Sequence, residues 1–407
     1  MAARLDPPPA QERRDLAGFA IALVAGLALT LTALLFGIQL SPTGIRNLAG
    51  SRDFVSYWAT GQQLVRHANP YDRDAIAALE HAAGLDVRAV LIMRNPPWAL
   101  PLAWPLGFLP LRVAAILWSL LLLACLLLSV RFARQLYGSP SNHLHLLALS
   151  FTPALLCLIM GQTALFSLLG LALFLRWHGS RPFLAGTALW LCALKPHLFL
   201  PFAAALAAWL ATSLVTSPVA ARAWRVAAGA AAALAVSSAV AIAIDPHAWL
   251  DYTRLMRSPA VENEFIPCLA SAIRQVIDQW FHIHATWLQY LPSALSCLWA
   301  LVYFWRRRAA WDWKTNAGPL MLVSLIAAPY CWFYDQCLAI PALLKGAYAT
   351  RSRNLIAVLA LAIFVMDIEI CAVPVLSPFY LWTAPAWLAW YLFATASKRN
   401  HASSLTR

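Results

Sequence analysis

The chain has 407 residues, of which 61% are hydrophobic and only 12% are charged, and its mean hydropathy is +0.66. A soluble domain carries about 25% charged residues, so this composition excludes a water-soluble protein of two or three domains. The net charge of +13 comes without a basic stripe or a nucleic-acid-binding motif, which excludes nucleic acid as a partner. The sequence therefore predicts an all-α integral membrane protein whose main partner is the lipid bilayer.

Twelve apolar stretches are long enough, or nearly long enough, to be membrane helices, since a span needs about 20 residues. The first follows the basic segment 1–15 and is too long for the core of a signal peptide, so we expect it to be retained. The fifth and sixth are short and meet at Lys195-Pro196. The candidates are 16–40, 111–133, 143–160, 163–178, 183–196, 197–213, 226–244, 287–305, 317–333, 337–350, 354–373 and 379–396.

The basic residues predict how these helices are oriented, because cytoplasmic loops carry the excess of Lys and Arg. With the N-terminus inside, 19 of the 30 basic residues lie in the cytoplasm, including the run Arg306–Arg308. We therefore expect a multi-pass protein of the plasma (inner) membrane with both termini in the cytoplasm. In this interpretation residues 1–407 form a single polytopic domain with a cytoplasmic tail at 397–407.

Two predicted outer segments, 41–110 and 245–286, are too long to be simple turns. The prolines of 96–110 disfavour a membrane span, so we place that stretch at the outer surface, and a short helix is predicted over 73–83. Residues 52–66 have the pattern of an amphipathic helix lying in the membrane interface. Its predicted apolar side contains Phe54, Val55, Trp58 and Val65, and its predicted polar side Ser56, Thr60 and Gln63.

Ionisable residues near membrane depth are candidates for function because an isolated charge there is costly. Asp53 lies where the first outer segment begins, with Tyr57 close on the same helical face; the alternative is an acid that only favours the first turn of a helix. Lys195 and Arg94 could each hold a phosphate. The alternatives are a lysine that reaches the interface and a solvated loop arginine.

Further polar residues end apolar stretches on the predicted outer side. Gln162 follows Gly161, where an amide could bind a hydroxyl-rich ligand or simply end a helix. Tyr334 and Asp335 combine an aromatic ring with a carboxylate, which suits a sugar but also an aromatic belt. The eight scattered cysteines and two His-x-His pairs have no metal-binding spacing, so we expect no metal site.

Taken in order along residues 50–340, a set of short motifs resembles glycosyltransferase family 87, within the membrane-embedded GT-C class. Two positions depart from the family pattern: Met93-Arg94-Asn95 replaces a Tyr before the Pro-Pro pair, and His67-Ala68 replaces a Gly. The matching motifs are Arg52-Asp53-Phe54 with Tyr57, Asn69-Pro70-Tyr71, Pro96-Pro97, Leu109-Pro110, Gly161-Gln162, Ala185-Gly186, Lys195-Pro196, Pro329 and Tyr334-Asp335.

The resemblance implies a GT-C-like bundle of about twelve transmembrane helices with interfacial helices in the first outer loop. It also implies inverting transfer of a mannose-like hexose from a polyprenyl-phosphate carrier to a glycan or lipid-linked acceptor, without a further cofactor. Asp53 is then the expected catalytic base, and Lys195 and Arg94 the expected ligands of the donor phosphate. Sugar or acceptor contacts are expected from Tyr57, Tyr71, Gln162, Tyr334 and Asp335.

Two other classes of function compete with this interpretation. A transporter or flippase of a lipid-linked or polar solute would place charges and broken helices near the bilayer midplane and show inverted repeats. Here the candidates collect at the outer face and the two halves look unlike. An O-antigen ligase or polymerase-like protein also uses outer loops, but the motifs before the fifth predicted span, 183–196, favour the transferase.

Overall fold

The computed structural model describes residues 52–85, 90–215, 220–258, 266–373, 375 and 377–404, and every regular element in these ranges is helical. The predicted segment 1–15, the predicted span 16–40 and the tail residues 405–407 lie outside the described residues. The α-helices of more than five residues are α1 (Arg52–Val65), α2 (Arg73–Ala82), α3 (Leu111–Leu136), α4 (Thr152–Met160), α5 (Ala164–Trp177), α6 (Pro182–Cys192), α7 (Leu200–Val215), α8 (Ala220–Ile244), α9 (Ala248–Met256), α10 (Leu269–Phe281), α11 (Leu291–Arg307), α12 (Trp313–Ala327), α13 (Ile340–Ala349), α14 (Arg353–Ala372) and α15 (Thr383–Ser404).

Three of the described helices are long and apolar enough to cross a membrane by themselves: Leu111–Leu136, Pro196–Ser213 and Ala221–Ile244. Helices α5 and α6 are apolar but shorter. The prediction of an all-helical membrane protein is therefore confirmed, whereas the count of twelve spans remains a prediction.

Several predicted spans begin with a tight helical turn rather than with a regular α-helix. The turn Pro196–Phe199 precedes α7, and Phe333–Ala339 precedes α13. In the first case Pro196 starts the turn, where its missing N–H costs no helical hydrogen bond. Helix α15 also differs from its prediction, because it continues to Ser404 and so includes most of the expected tail.

The two-sided pattern predicted for α1 is wrong, because both sides of this helix are buried. Ser56, Thr60 and Gln63 are only 5%, 0% and 6% exposed. On the other side, the Trp58 indole donates to the Leu109 carbonyl at 3.0 Å. The rest of the predicted outer segment encloses α1, so the polar side chains that suggested a solvent face are buried in protein instead. Burial of this kind holds the catalytic candidate Asp53 in a fixed place.

Close backbone contact explains how α1 is enclosed. A Cβ on Gly61 would overlap the Ala103 carbonyl oxygen, and one on Gly107 would overlap the Gly61 backbone. As predicted, 96–110 forms no long helix. It is a series of short helical turns, Pro97–Ala99, Leu100–Ala103 and Trp104–Phe108. Proline at or near the start of each turn prevents a continuous helix.

Helix α9, in the second predicted outer segment, packs on the first predicted outer segment. Trp249 of α9 lies against Trp98, with ring centroids 5.4 Å apart, and Tyr252 lies against Tyr71 at 5.6 Å. Aromatic pairs at this separation contribute about 0.5–1.5 kcal/mol beyond the area they bury. The two long segments therefore form one assembly next to the candidate site.

Helices α5, α7 and α12 connect two polar regions of the molecule. Their ends near Gln162, Lys195 and Asp335 form the first region, and their ends near His178, Ser213 and Trp313 form the second. Chain order alone places these regions at opposite ends of the same helices. The first contains the predicted site residues.

Candidate active site

The structure brings together six of the predicted site residues in one hydrogen-bonded group, the Gln162 cluster. They come from α1, from the end of α4, from the start of α7 and from the turn before α13. The members are Asp53, Tyr57, Gln162, Lys195, Tyr334 and Asp335.

Gln162 is positioned by the end of α4. Gly161 adopts a left-handed conformation with φ of 72°, which terminates the helix and which glycine adopts without a steric penalty. The Trp118 indole of α3 donates to the Gly161 carbonyl at 2.7 Å. The same indole ring packs on Tyr57 and Phe166. The turn before Gln162 is therefore fixed from two sides.

The Gln162 amide makes four hydrogen bonds, which is its full capacity. Its Nε2 donates to Asp53 Oδ2 at 2.7 Å and to the Tyr334 hydroxyl at 3.1 Å. Its Oε1 accepts from Lys195 Nζ at 2.8 Å and from the Tyr57 hydroxyl at 3.2 Å. Because the oxygen faces an ammonium and the nitrogen faces a carboxylate, the orientation of the amide is determined by charge on both sides.

Lys195 and Asp335 form a buried ion pair with 2.7 Å between Nζ and Oδ1. Lys195 is 6% exposed and Asp335 is fully buried. The second oxygen of Asp335 accepts the Trp332 backbone N–H at 3.0 Å. Removing one partner of such a pair costs about 3–5 kcal/mol, because the other charge is left buried. The pair is thus a fixed part of the site.

The turn that carries Lys195 is held by the first outer segment. The Asn95 amide donates to the Leu194 carbonyl at 2.7 Å, and the Trp98 indole donates to the Ala193 carbonyl at 2.8 Å. These two bonds satisfy backbone carbonyls at the end of α6, which have no N–H partner within the helix. The ammonium of Lys195 also lies 5.1 Å from the centre of the Tyr334 ring, a cation–π distance.

Exposure differs between the two carboxylates of the cluster. Asp335 is enclosed, whereas Asp53 is partly exposed at the first turn of α1. Burial raises the pKa of the neighbouring Tyr57 hydroxyl well above its usual range, so this group stays a hydrogen-bond donor. The cluster therefore opens toward its surroundings at Asp53.

Two further predicted residues occupy supporting positions. Tyr71 is buried, and its hydroxyl donates to the Asn95 carbonyl at 3.3 Å, so it supports the loop that holds Lys195. Arg94 is partly buried one residue before Asn95 and has interactions of its own. The role of a sugar ligand for Tyr71 and that of a phosphate ligand for Arg94 remain predictions.

Sequence reasoning missed several residues at the site. Asn95, Trp98 and Trp118 hold its backbone, and nothing in their local pattern indicated this because each bonds a carbonyl far along the chain. His197 follows Lys195 by two residues, and its buried Nε2 has no hydrogen-bond partner among the described residues. Its ring lies edge-on to Tyr330 at 5.2 Å. The sequence signal that could have identified His197 as a site residue is its position directly after the Lys195-Pro196 motif.

The described part of the chain contains no group of three or more His, Cys, Asp or Glu side chains that could hold a metal ion. The Gln162 cluster combines a reachable carboxylate, a fixed ammonium and aromatic rings beside them, which suits acid–base and electrostatic chemistry.

Comparison with known proteins agrees with the motifs. The model of glycosyltransferase family 87 matches residues 94–329, more than half of the chain. This stretch includes Gln162 and Lys195, whereas Asp53 and Asp335 lie outside it. No curated protein and no solved structure matches the chain significantly. The family match confirms the resemblance: the chain belongs to glycosyltransferase family 87 and is a glycosyltransferase.

Proposed function

We propose that the protein transfers a mannose-like hexose from a polyprenyl-phosphate donor to a hydroxyl of a glycan or lipid-linked acceptor, with inversion at the anomeric carbon. Asp53 is the general base in this proposal. The observation that carries it is the contrast between two carboxylates: Asp335 is buried and paired with Lys195, whereas Asp53 is partly exposed. Of these two, Asp53 is the one that an incoming acceptor can reach.

The proposed step is a single displacement. The acceptor oxygen bonds to the anomeric carbon as the bond between that carbon and the phosphate oxygen breaks. The electron pair of the broken bond stays on the phosphate, and the acceptor proton passes to the Asp53 carboxylate. The Gln162 amide at 2.7 Å holds this carboxylate in one orientation, so little reorganisation is needed during the reaction.

Lys195 is the proposed partner of the phosphate. Its ammonium has three N–H donors, and contacts among the described residues account for two, to Gln162 and Asp335. The third is available for a phosphate oxygen. Asp335 keeps the ammonium in place and offsets the cost of burying its charge. The ammonium, already oriented, then stabilises the negative charge that develops on the leaving phosphate.

The aromatic groups support a sugar substrate. The rings of Trp332 and Tyr334 stack with 6.0 Å between centroids, next to the Lys195–Asp335 pair. Aromatic faces suit the C–H face of a hexose, and tyrosine hydroxyls suit its O–H groups. A direct role for Gln162 in sugar binding requires that it give up one of its four protein hydrogen bonds.

We place the reaction at the outer face of the plasma membrane. The Gln162 cluster lies at the ends of α5, α7 and α12 that are opposite to Arg222 and to the Arg306–Arg308 run. Basic residues of this density favour the cytoplasm. Reporter fusions at Gly44 and Asp278 are expected to report the outer side, and fusions at Lys314 and Arg399 the cytoplasm. A cytoplasmic signal at Asp278 would contradict this placement.

The experiment that tests the donor class uses purified protein in nanodiscs. Synthetic polyprenyl-phosphate mannose and a nucleotide-linked mannose are supplied in parallel with an extract of lipid-linked glycans as acceptor. We expect label to pass to the acceptor only from the polyprenyl donor, with the anomeric configuration inverted by NMR. Transfer from the nucleotide sugar, retention of configuration, or translocation of the donor without covalent transfer would each overturn the proposal.

A further inference from the structure

A cavity of about 820 Å³ lies at the ends of α5, α7, α11 and α12 that are remote from the Gln162 cluster. Cavities that bind small molecules typically measure about 300–1,000 Å³. Its wall includes His178, Thr212, Arg222, Arg308, Trp311 and Trp313. None of these residues takes part in the chemistry proposed above.

Two buried hydrogen-bond donors at this cavity lack acceptors. The indole Nε1 groups of Trp311 and Trp313 are buried and have no partner among the described residues. Trp313 is 1% exposed, and its ring is wedged among Phe174, Phe202 and Trp209 at 5.2, 5.0 and 5.9 Å. The ring therefore cannot turn its N–H toward the cavity, and both indoles contribute aromatic surface to the cavity wall rather than donors to a ligand.

Positively charged side chains lie at the rim of the same cavity. Arg222 and Arg308 are exposed. The Arg308 guanidinium lies 4.0 Å from the Trp305 ring and donates one hydrogen bond, to the Trp305 carbonyl. Most of its five N–H donors are thus not used by that contact. The one carboxylate of the wall, Asp312, already accepts the backbone N–H and the hydroxyl of Thr315 at 2.9 and 2.8 Å.

We propose that this cavity binds the phosphate headgroup of an anionic glycerophospholipid. A phosphate supplies hydrogen-bond acceptors and negative charge for Arg222 and Arg308, which line the cavity. Basic pockets between membrane helices on the cytoplasmic side suit such headgroups. The apolar outer surface of α11 next to the cavity, with Leu301 and Val302 42% and 44% exposed, offers a track for the acyl chains that a free phosphate lacks.

The position of the cavity relative to the membrane interface also fits a lipid headgroup. Trp224 and Trp305 beside it are 62% and 57% exposed, and exposed tryptophans of membrane proteins collect at the interface. The site is independent of the glycosyl transfer, because it lies at the other end of the helices. Its occupancy is therefore measurable without any sugar donor.

The test is lipid retention by the purified full chain, measured by native mass spectrometry after detergent delipidation and titration with phosphatidylglycerol or phosphatidylcholine of equal chain length. We expect one phosphatidylglycerol per chain, preferred over phosphatidylcholine by about tenfold or more. The variant R222Q/R308Q should lose this preference. The matched control R225Q/R306Q removes two exposed arginines that do not line the cavity and should keep it.

A second variant guards against misfolding. Arg222→Glu/Arg308→Glu changes only exposed residues of the cavity and places like charges beside the phosphate, so it should weaken phosphatidylglycerol retention further while the protein stays monodisperse. Equal loss in R222Q/R308Q and the control, equal retention of the two lipids, or retention unchanged in both cavity variants would overturn the proposal. Displacement of phosphatidylglycerol by about 10 mM inorganic phosphate, tenfold above a weak Kd of about 1 mM, would assign the site to free phosphate and also overturn the proposal.

Discussion

The two polar regions at the ends of α5, α7 and α12 differ in how their hydrogen bonds are satisfied. Around Gln162 the protein supplies the partners: four bonds to one amide and an ion pair at 2.7 Å. At the other end, two indole donors have no acceptor among the described residues and the arginines face outward.

This difference distinguishes a preorganised site from an incomplete one. The activation free energy of a reaction is lower when the charges of the site are already oriented before the substrate arrives, because reorganisation during the step is avoided. A binding site for a lipid headgroup instead keeps arginine donors exposed, so that the phosphate itself completes their hydrogen bonds. Substitutions in the first region should therefore show whether it behaves as a preorganised centre.

The largest effect is expected from Asp53→Asn. The amide keeps the size and part of the hydrogen bonding of the carboxylate but cannot accept the acceptor proton, so turnover should fall by about 10²–10⁴-fold. Transfer from polyprenyl-phosphate mannose measures this, with donor binding checked separately. Asp74→Asn is the matched control, because Asp74 is also an acid in the first turn of its helix, α2, and is exposed. Equal activity of the two variants would reduce Asp53 to a capping acid.

The next effect concerns Lys195→Met, which removes the ammonium and leaves Asp335 buried without its partner. We expect donor use, measured as the KM for the polyprenyl donor, to worsen by about ten- to a hundredfold, as for a lost charge-assisted hydrogen bond. Thermal stability should also fall. The variant Lys195→Met/Asp335→Asn separates the two effects, because it removes the unpaired charge and should recover stability. Recovery of donor use along with stability would show that Lys195 is structural only.

A smaller effect is expected from Gln162→Leu. The substitution keeps volume but removes the N–H that orients Asp53, so kcat should fall about tenfold with little change in donor KM. Without that donor the Asp53 carboxylate is less stabilised in its charged form, so the acid limb of the pH–rate profile should move to higher pH. An unchanged pH profile combined with a raised KM would indicate instead that Gln162 binds substrate.

Local sequence signals predicted part of the site. Gly161 before Gln162 predicted a helix end, and the structure has it, with φ of 72° at the glycine. Lys195-Pro196 predicted a junction of two helices, and α6 ends just before it. Each of these features depends on neighbouring residues, so the chain order contains the necessary information.

Other features of the site depend on partners far apart in the sequence. Lys195 pairs with a carboxylate 140 residues later, and Gln162 bonds Asp53, 109 residues before it. The polar side of α1 was misassigned for the same reason: Ser56, Thr60 and Gln63 match a solvent face, and only the packing of the outer segment shows that they are buried. Single-sequence patterns report residue type and spacing, not which distant element covers them.

The shortness of α5 and α6 has a consequence for the depth of the site. At 1.5 Å per residue the 14 residues of α5 extend about 21 Å, and the 11 of α6 about 17 Å. A bilayer's hydrocarbon core is about 30 Å thick, so α5 with its basic end at one surface stops about 9 Å short of the other. In the proposed reaction a polyprenyl-linked phosphate then meets the Gln162 end of α5 below the lipid headgroups, or the bilayer thins locally. We therefore expect bilayer thickness, set by acyl-chain length, to govern how readily the donor reaches the enzyme.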